Sequence, residues 1–291
     1  MNEKVVVITG ANSGIGLETA VAVAAMGATT VLACRNPGRA AAAAHEVRER
    51  AASDQVHVVP LDLADLASVA TAADQISASF DRVDVLINNA GGIWSKRQTT
   101  VQGFEQTFGV NHLGHFYLTN LLLGRLIESA PARVINISSA AYRLAHQGMR
   151  WDDLQHARRY SSMAVYGESK LANLLFTRAL ARRLDPVQVT VNAVHPGPVR
   201  TGFGMDGDTK GLLGLANRLV RPFEISPLAG ADTPIFLATD PAIGLTTGQY
   251  WANRQVGQVS GTGTDDDSAE RLWSESEALL ASVGFSLAAR N

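Results

Sequence analysis

Short apolar runs rich in β-branched residues alternate with longer stretches in which apolar residues recur at helical spacing. The runs predict six strands, at Val5–Thr9, Thr30–Cys34, Val56–Pro60, Val83–Asn88, Arg133–Ser138 and Val187–Val194. The stretches between them predict helices at Gly14–Met26, Gly38–Ala52, Leu66–Ser79, Phe104–Ser129 and Met163–Leu184. Because the predicted strands are apolar on both faces, we expect a parallel sheet that helices cover on both sides. The pattern therefore predicts an α/β fold with a doubly wound parallel sheet.

The alternation ends after the sixth predicted strand. Residues 196–227 are rich in glycine and proline and weakly periodic, which predicts a long functional loop or lid. A helix at Leu228–Ala238 and an edge strand at Gly248–Trp251 follow. The triple aspartate 265–267 predicts the solvated start of a further helix. We expect residues 1–291 to form a single domain.

Composition narrows the class of protein. Hydrophobic residues make up 46% of the chain and charged residues 18%, which excludes global disorder. The net charge of −2 gives no field that would attract nucleic acid or an anionic membrane. The single cysteine, Cys34, excludes a disulfide framework, and no run has the length and apolarity of a signal peptide or membrane anchor. We therefore expect a cytoplasmic protein that acts on a small molecule.

The first predicted strand runs directly into a glycine-rich turn, and a helix begins there. The turn reads Thr9-Gly10-Ala11-Asn12-Ser13-Gly14-Ile15-Gly16. Gly10 permits the tight turn, and Gly14 and Gly16 let the backbone approach a pyrophosphate at the helix N-terminus. The spacing is G-x-x-x-G-x-G, which differs from the G-x-G-x-x-G of most dinucleotide folds. The turn predicts a dinucleotide site.

An arginine stands where NAD-binding proteins carry an acid. About 20 residues beyond the glycine-rich turn, an Asp or Glu normally binds the ribose hydroxyls of NAD. Here Arg35 follows the second predicted strand, and Arg39 lies one helical turn further on. A guanidinium pairs with a 2′-phosphate, which an acid would repel. We expect NADP(H) rather than NAD(H), the alternative being that Arg35 is an ordinary solvated loop residue.

Tyr166 and Lys170 lie four residues apart in a predicted helix, so both side chains share one face. The pKa of a free tyrosine hydroxyl is about 10, which is too high for proton transfer at neutral pH. A nearby ammonium favours the phenolate, as does the positive charge of an oxidised nicotinamide. The pair predicts a proton-transferring tyrosine whose pKa is lowered.

Further polar residues stand where predicted strands end. Ser138 and Ser139 close the fifth strand, and Asn88-Asn89-Ala90-Gly91 closes the fourth. The carboxyl ends of the strands are where ligands bind in a doubly wound sheet. Asn111 lies inside a predicted helix, where a polar side chain needs a reason. The proline-containing turn 192–201 closes the sixth strand, so the motifs predict one polar site at a single edge of the sheet.

Other chemistries find no support in the sequence. His112 and His115 lie three residues apart on a predicted helix, but no acidic or cysteine partner stands at suitable spacing, so no metal site is predicted. The chain also lacks the G-x-S-x-G elbow of serine hydrolases and the Walker motif of nucleotide triphosphatases.

From about Lys4 to Thr201, and more loosely to Trp251, these motifs resemble the short-chain dehydrogenase/reductase family. The resemblance implies a Rossmann fold, an NAD(P) coenzyme and the catalytic tetrad Asn111, Ser139, Tyr166 and Lys170. It implies nucleotide contacts, to which we add Arg35, at Thr9, Gly10, Asn12, Ser13, Gly14, Ile15, Gly16, Asp62, Leu63, Asn88, Ala90, Gly91, Tyr166, Lys170, Pro196, Gly197 and Thr201.

The reaction implied by the resemblance is hydride transfer between a nicotinamide and a carbonyl carbon. Tyr166 would exchange a proton with the carbonyl oxygen, and Ser139 would donate a hydrogen bond to it. Lys170 would bind the nicotinamide ribose, and Asn111 would hold a water for proton relay. The substrate pocket is expected from Gly92–Arg97, Ala140–Tyr160 and Pro198–Ser226, with apolar lining from Trp94, Trp151, Phe203 and Leu212 unless these four only pack.

Finer features are similar to the retinol-dehydrogenase-like and WW-domain-oxidoreductase-like branch of the family. They are Ala33–Asn36, Val110–Phe116, the long segment between Ser139 and Tyr166, Ser169–Asn173 and Leu272-Trp273. The branch implies a lipophilic carbonyl or alcohol substrate. Family members often pair the helices corresponding to Phe104–Ser129 and Met163–Leu184 in homo-oligomers, so a homo-oligomer is possible here. Two alternatives remain: an NADP-binding sensor or scaffold without turnover, and a pigment-type double-bond reductase.

Overall fold

The computed structural model describes residues 1–197, 225–259 and 261–287. Within these residues an eight-stranded sheet has the order β3-β2-β1-β4-β5-β6-β7-β8. The strands are β1 (Val5–Thr9), β2 (Thr29–Cys34), β3 (Val56–Pro60), β4 (Val85–Asn88), β5 (Ala132–Ile137), β6 (Val189–Val194), β7 (Tyr250–Ala252) and β8 (Gln255–Val256). Neighbouring strands pair in parallel, except that β8 is antiparallel to β7. The strand order reverses between β1 and β4, and such a switch point opens a crevice at the carboxyl ends of the strands.

Helices cover both faces of this sheet. They are α1 (Gly14–Ala25), α2 (Pro37–Ala51), α3 (Leu66–Ser79), α4 (Gln106–Phe108), α5 (Gly114–Leu121), α6 (Leu123–Glu128), α7 (Ser162–Arg183), α8 (Pro227–Thr239) and α9 (Asp266–Ser282). Short 3-10 helices lie at Ala140–Ala145, Pro241–Ile243 and Gly261–Thr264. None of the helices in the described ranges is both long enough and apolar enough to cross a bilayer.

Alternate side chains of β1 point into two separate apolar layers. Val5 and Val7 belong to the layer that packs against α3, α5, α7 and α9, whereas Val6 and Ile8 belong to the layer under α1, α2 and α8. This alternation is the period of two of an extended strand. Burial on both faces confirms the predicted doubly wound α/β fold, and the predicted boundaries of the six strands agree with the structure to within two residues.

The predicted single helix over Phe104–Ser129 is wrong in detail. The segment comprises α4, a π-helical turn at Gly109–Leu113 (the π turn), α5 and α6. A π turn inserts one residue into a helical ladder, and such insertions are frequent at functional sites. The π turn contains Asn111, the catalytic candidate of this segment.

The C-terminal helix α9 packs across α5 and α7. The ring centroid of Trp273 lies 4.9 Å from that of Phe116, and the guanidinium of Arg183 lies 4.1 Å from the Trp273 ring. The predicted solvated start of α9 is confirmed, since Asp265 is its N-cap and the side chain of Asp266 is about half exposed. Asp266 also forms ion pairs with Arg178 and Arg182 of α7. These contacts fix the helix against the sheet layer that carries the predicted tetrad.

Candidate active site

The glycine-rich turn joins β1 to α1 in the geometry that the sequence predicts. Gly10 and Gly14 have positive φ values of 65° and 58°. A Cβ atom on Gly16 would lie 2.7 Å from the carbonyl oxygen of Gly10 and 2.5 Å from Nδ2 of Asn89. The N-cap residue Ser13 makes no side-chain capping bond, and the first turn of α1 holds no acid. The unpaired N–H groups and positive dipole of a helix N-terminus bind anions, so the turn fits a pyrophosphate.

Arg35 follows β2, the neighbour of β1, and its side chain is exposed. The main-chain N–H of Gly10 donates to the carbonyl of Ala33 over 2.8 Å, which holds the glycine-rich turn beside the end of β2. Cys34 lies beneath the turn, hydrogen-bonded to the backbone of Ala11 and Asn12, and burial raises the pKa of its thiol to about 11. Arg35 thus lies at the edge of the glycine-rich turn, and Cys34 stabilises the backbone of that turn from below.

Asp62 and Leu63 follow β3 at the same edge of the sheet. The Asp62 carboxylate accepts the N–H of Ala64 over 3.0 Å and stays partly exposed. Leu63 is buried, and a Cβ atom on Gly114 would lie 2.7 Å from its carbonyl oxygen. Asp62 is therefore accessible to a ligand, whereas the Leu63 side chain faces the core.

The side chains of Asn88 and Thr9, both predicted nucleotide contacts, are buried under the crevice and hydrogen-bond to neighbouring protein groups. The Asn88 amide nitrogen donates to Thr119 Oγ1 over 2.9 Å and to Asn136 Oδ1 over 2.8 Å, so this side chain lies in the core. Thr9 is fully buried, and its hydroxyl accepts the main-chain N–H groups of Asn89 and Ala90, each over 2.9 Å. The main chain of Ala90 and Gly91 stays partly exposed at the crevice.

Three of the tetrad side chains lie at the ends of β5 and on α7. Ser139 hydrogen-bonds to Tyr166, and the Lys170 Nζ atom lies 5.5 Å from the centroid of the Tyr166 ring. Lys170 Nζ donates to the carbonyl of Ile137 over 3.1 Å. Ser138 instead donates to the carbonyl of Lys170 over 2.8 Å and is buried. The structure therefore brings Ser139, the serine preferred from the sequence, to the tyrosine.

Burial sets the protonation of this pair. It raises the pKa of Tyr166 to about 12, and the hydrogen bond from Ser139 offsets it only in part. Burial also lowers the pKa of Lys170 to about 8. The protein's own groups alone thus raise the pKa of Tyr166, because burial disfavours the phenolate more than the Ser139 hydrogen bond favours it. The lowering predicted from the sequence, which included the charge of an oxidised nicotinamide, stays a prediction for the complex with coenzyme. Tyr166 is a proton donor at neutral pH.

Asn111 joins the two sides of the site. Its Oδ1 accepts the N–H of Gly92 over 2.8 Å, and its Nδ2 donates to the carbonyl of Gly92 and to Ser169 Oγ, each over 3.0 Å. Ser169 in turn donates to the carbonyl of Tyr166 over 2.8 Å. Both amide hydrogens of Asn111 are therefore used, and a relay water could bond only to an oxygen of this residue. The side chain acts as a clamp between the loop after β4 and α7.

The predicted nicotinamide end is described in part. Pro196 and Gly197 follow β6, where Gly197 has a φ of 86° and its N–H contacts Nδ1 of His195 over 3.4 Å. The other residues that the sequence predicts at this end lie outside the described residues: Thr201, Phe203, Leu212 and the rest of residues 198–224 of the predicted loop.

The predicted pocket walls Gly92–Arg97 and Ala140–Tyr160 contact one another. The Tyr160 hydroxyl donates to the carbonyl of Trp94 over 2.6 Å. The Trp94 indole lies so close to Gly92 that a Cβ atom there would approach it to 2.5 Å. Trp151 packs on the core and lies 4.6 Å from the Arg271 guanidinium, which supports packing for this residue. Of Trp94 and Trp151, only Trp94 therefore stays a candidate for lining the substrate pocket.

Glu168 is a site residue that the sequence analysis missed. It is buried on α7 between Tyr166 and Lys170, and its carboxylate contacts Arg150 Nε at 3.1 Å and His156 Nε2 at 3.3 Å. The ion pair with Arg150 and the contact with His156 fix the wall Ala140–Tyr160 to α7. The signal was available, because Glu168 has no basic residue three or four positions away with which to pair on its own helix.

His112 and His115 are both buried and serve packing and hydrogen bonding. His112 Nε2 lies 2.9 Å from Ser276 Oγ of α9, and His115 contacts Thr9 and the Asn111 carbonyl. Burial lowers the pKa of His112 to about 3 and that of His115 to about 4. In the part of the chain that the structure describes, no three His, Cys, Asp or Glu side chains are grouped as a metal site requires.

Known proteins share both the sequence and the fold. Residues 4–151 and 154–210 match the short chain dehydrogenase family. Retinol dehydrogenase 12 of Mus musculus is 46% identical over 277 residues, which cover 95% of this chain and 86% of that protein. Retinol dehydrogenase 13 of Homo sapiens is 42% identical over 281 residues, which cover 95% of this chain and 84% of that protein.

Solved structures extend the comparison. An uncharacterised protein from Mycobacterium paratuberculosis has a TM-score of 0.75 and 35% identity, with 98% of this chain and 95% of that chain covered. The 3-ketoacyl-(acyl-carrier-protein) reductase from Brucella melitensis, complexed with NADH, has a TM-score of 0.64 and 25% identity, with 86% and 96% covered. On these matches, and with the geometry above, the chain belongs to the short-chain dehydrogenase/reductase family, in its retinol-dehydrogenase-like branch.

Proposed function

We propose that the protein is an NADP(H)-dependent oxidoreductase that transfers a hydride between nicotinamide and a carbonyl or alcohol carbon of a lipophilic small molecule. The observation that carries the proposal is the contact of Ser139 with Tyr166, one helical turn from the buried Lys170. These groups lie at the carboxyl ends of the strands, at the edge that also carries the uncapped glycine-rich turn. A cytoplasmic location remains part of the proposal.

The coenzyme, when bound, supplies or accepts the hydride. Tyr166 holds its proton at neutral pH, so it is ready to donate this proton to a carbonyl oxygen during reduction. Ser139 stands beside it and donates a hydrogen bond to the same oxygen as negative charge develops. The Lys170 ammonium has three donors, and its bond to Ile137 uses one, which leaves donors for the ribose. Tyr166 in this protonated form is therefore the proton donor that carbonyl reduction requires.

The lipophilic substrate rests on the surroundings of Tyr166 and on the relatives. Met163, one turn before Gly167 on α7, and Leu144, whose Cβ contacts the Gly167 position, are large apolar side chains that are about half exposed. Exposed apolar groups beside a catalytic tyrosine favour an apolar substrate. The relatives are named retinol dehydrogenases, and retinol is a lipophilic alcohol, which supports the same class of substrate.

NADPH oxidation against aldehydes and ketones of graded chain length tests the proposal. We expect turnover that improves with chain length, and conjugated enals should be reduced at the C=O bond. Coenzyme binding without turnover of any substrate would instead support a sensor or scaffold. A product reduced at the C=C bond would support a double-bond reductase.

The coenzyme preference is expected to depend on Arg35. Arg35→Asp should weaken NADPH binding by about 10-fold or more, because a charge-assisted pair with the 2′-phosphate becomes a repulsion. NADH binding should stay the same or improve. Arg50→Asp, in the last turn of α2, makes the same charge change away from the glycine-rich turn and should leave the NADPH/NADH ratio of dissociation constants unchanged. A wild-type preference for NADH that survives Arg35→Asp would contradict the NADP(H) assignment.

A further inference from the structure

His115 on α5 contacts two groups that belong to different parts of the site. The side chain is 2% exposed, its Nδ1 lies 3.1 Å from the Asn111 carbonyl oxygen, and its Nε2 lies 2.9 Å from Thr9 Oγ1. A carbonyl oxygen only accepts, so Nδ1 carries the ring hydrogen. The ring is neutral because burial lowers its pKa to about 4, and Nε2 is therefore an acceptor. The geometry fixes one tautomer.

The tautomer in turn fixes the Thr9 hydroxyl. Its hydrogen points to His115 Nε2 at 2.9 Å in preference to the carbonyl of Ile87 at 3.4 Å. The oxygen is then left to accept, and it accepts the N–H groups of Asn89 and Ala90, each over 2.9 Å. A hydroxyl has one donor and two acceptor positions, so all of its capacity is used.

The resulting chain of bonds crosses the switch point of the sheet. It begins at the backbone after β4, passes through Thr9 at the end of β1 and the imidazole of His115, and ends at the carbonyl of Asn111 in the π turn. The Asn111 side chain continues from there to Gly92 and to Ser169 on α7. Buried and fully satisfied networks of this kind hold one arrangement, because each unmade bond would leave a buried polar group unpaired.

We propose that His115 is a positioning residue, which through its Nδ1–H tautomer holds the π turn and Asn111 at a fixed place relative to the nucleotide-binding turn. This inference rests on the proposed function for its effect on catalysis. Its effect on coenzyme binding and on the tautomer can be measured without a substrate. Removal of the imidazole breaks the link on both sides, so Thr9 and His115 act as one unit.

The first test measures the tautomer in the wild-type protein. Nuclear magnetic resonance of the ¹⁵N-labelled histidine ring, assigned with His115→Gln, is expected to show a protonated Nδ1 and an unprotonated Nε2 at neutral pH. A protonated Nε2, or a ring that exchanges between both tautomers, would overturn the proposal. The tautomer is read from the wild-type protein, and a variant is needed only to assign the His115 signals. If His115→Gln does not fold, loss of the same signals in His115→Phe gives the assignment.

The second test compares variants by the dissociation constant of NADPH, followed by its fluorescence, and by kcat where a substrate is known. Thr9→Val and His115→Phe should each weaken NADPH binding by about 10-fold, and the double variant should be no weaker than either single one, because coupled residues are not additive. His115→Gln keeps one donor and one acceptor and should recover part of the affinity. Thr30→Val removes another buried hydroxyl, bonded to Ala28 over 3.3 Å, and is the matched control.

Additive effects in the double variant, or NADPH affinity unchanged in Thr9→Val and His115→Phe, would overturn the positioning role. If the wild-type protein binds NADPH and shows the expected tautomer and coupling but reduces no carbonyl, the proposed function fails and the positioning role stands. The two inferences can therefore fail separately.

Discussion

Tyr166→Phe is expected to lower kcat/KM for carbonyl reduction by about 10²–10⁴-fold, the range typical of a general acid. The hydroxyl hydrogen-bonds to Ser139, and its pKa is raised to about 12, so it holds the proton that the substrate oxygen needs. Coenzyme affinity should change little, because the glycine-rich turn and Lys170 are untouched. Steady-state kinetics with NADPH and a reactive aldehyde measure the first effect, and fluorescence titration with NADPH measures the second.

Tyr117→Phe provides the matched control for this loss. Tyr117 is also a buried tyrosine whose pKa burial raises, but it lies on α5 with its ring 5.7 Å from that of Phe285. This variant should keep full activity. Activity retained in Tyr166→Phe would mean that the proton comes from another group, and the proposed reaction would lose its acid.

Lys170→Met is expected to abolish most activity and at the same time to stabilise the fold at neutral pH. The ammonium is buried, and burial lowers its pKa from 10.5 to about 8. Such a shift, from 10.5 to about 8, corresponds to at most about 3 to 4 kcal/mol of unfolding free energy, since one pKa unit equals about 1.4 kcal/mol. The carbonyl of Ile137 keeps its bond from Asn173 Nδ2, over 3.0 Å, when the lysine is removed. A thermal midpoint several degrees above wild type is expected at pH 7.

The pH dependence of this stabilisation has a definite sign. Below pH 8 the lysine is charged in both the folded and the unfolded chain, and the folded chain carries the full cost of the buried charge. Between pH 8 and about 10.5 the folded chain releases its proton first, and the cost disappears. The difference in melting temperature between Lys170→Met and wild type should therefore shrink as the pH rises through this window. Melting curves from pH 6 to pH 10 measure it.

The exposed Lys96 supplies the control, because Lys96→Met removes an ammonium that water already solvates. Its melting temperature should follow that of wild type at every pH. A Lys170→Met protein that melts below wild type by the same amount throughout the range would show that the buried charge is not penalised.

The sheet could be predicted because the pattern of apolar residues in each strand indicates directly how that strand is buried. Residues 5–8 are apolar at every position, and this pattern is typical of a strand that is buried on both faces. The π turn could not be predicted. Helical spacing continues through Gly109–Leu113, and a single glycine is tolerated inside a helix, so nothing in the sequence marks the point where the extra residue enters the ladder.

The sequence predicted which residues come together at the site better than it predicted the direction and protonation of their side chains. Tyr166, Lys170 and Ser139 come together as their spacing and strand-end positions indicate. The side-chain direction of Asn88 and the pKa of Tyr166 depend on burial, which only the packed structure supplies. Glu168 was missed because its partners, Arg150 and His156, are distant in sequence and meet it only after the wall segment folds back on α7.

The position of α9 limits how two copies of this chain could associate. The helix places Trp273 over Phe116 and Phe176 and bonds Ser276 to His112, so it occupies the outer surface of α5 and α7. A neighbouring subunit that approached this surface would meet the exposed residues of α9. Pairing directly through α5 and α7 would require α9 to detach, which breaks the contacts of Trp273 with Phe116 and Phe176 and the bond between Ser276 and His112. With α9 in place, an interface on this side of the molecule would be formed by the exposed face of α9 rather than by α5 and α7 themselves.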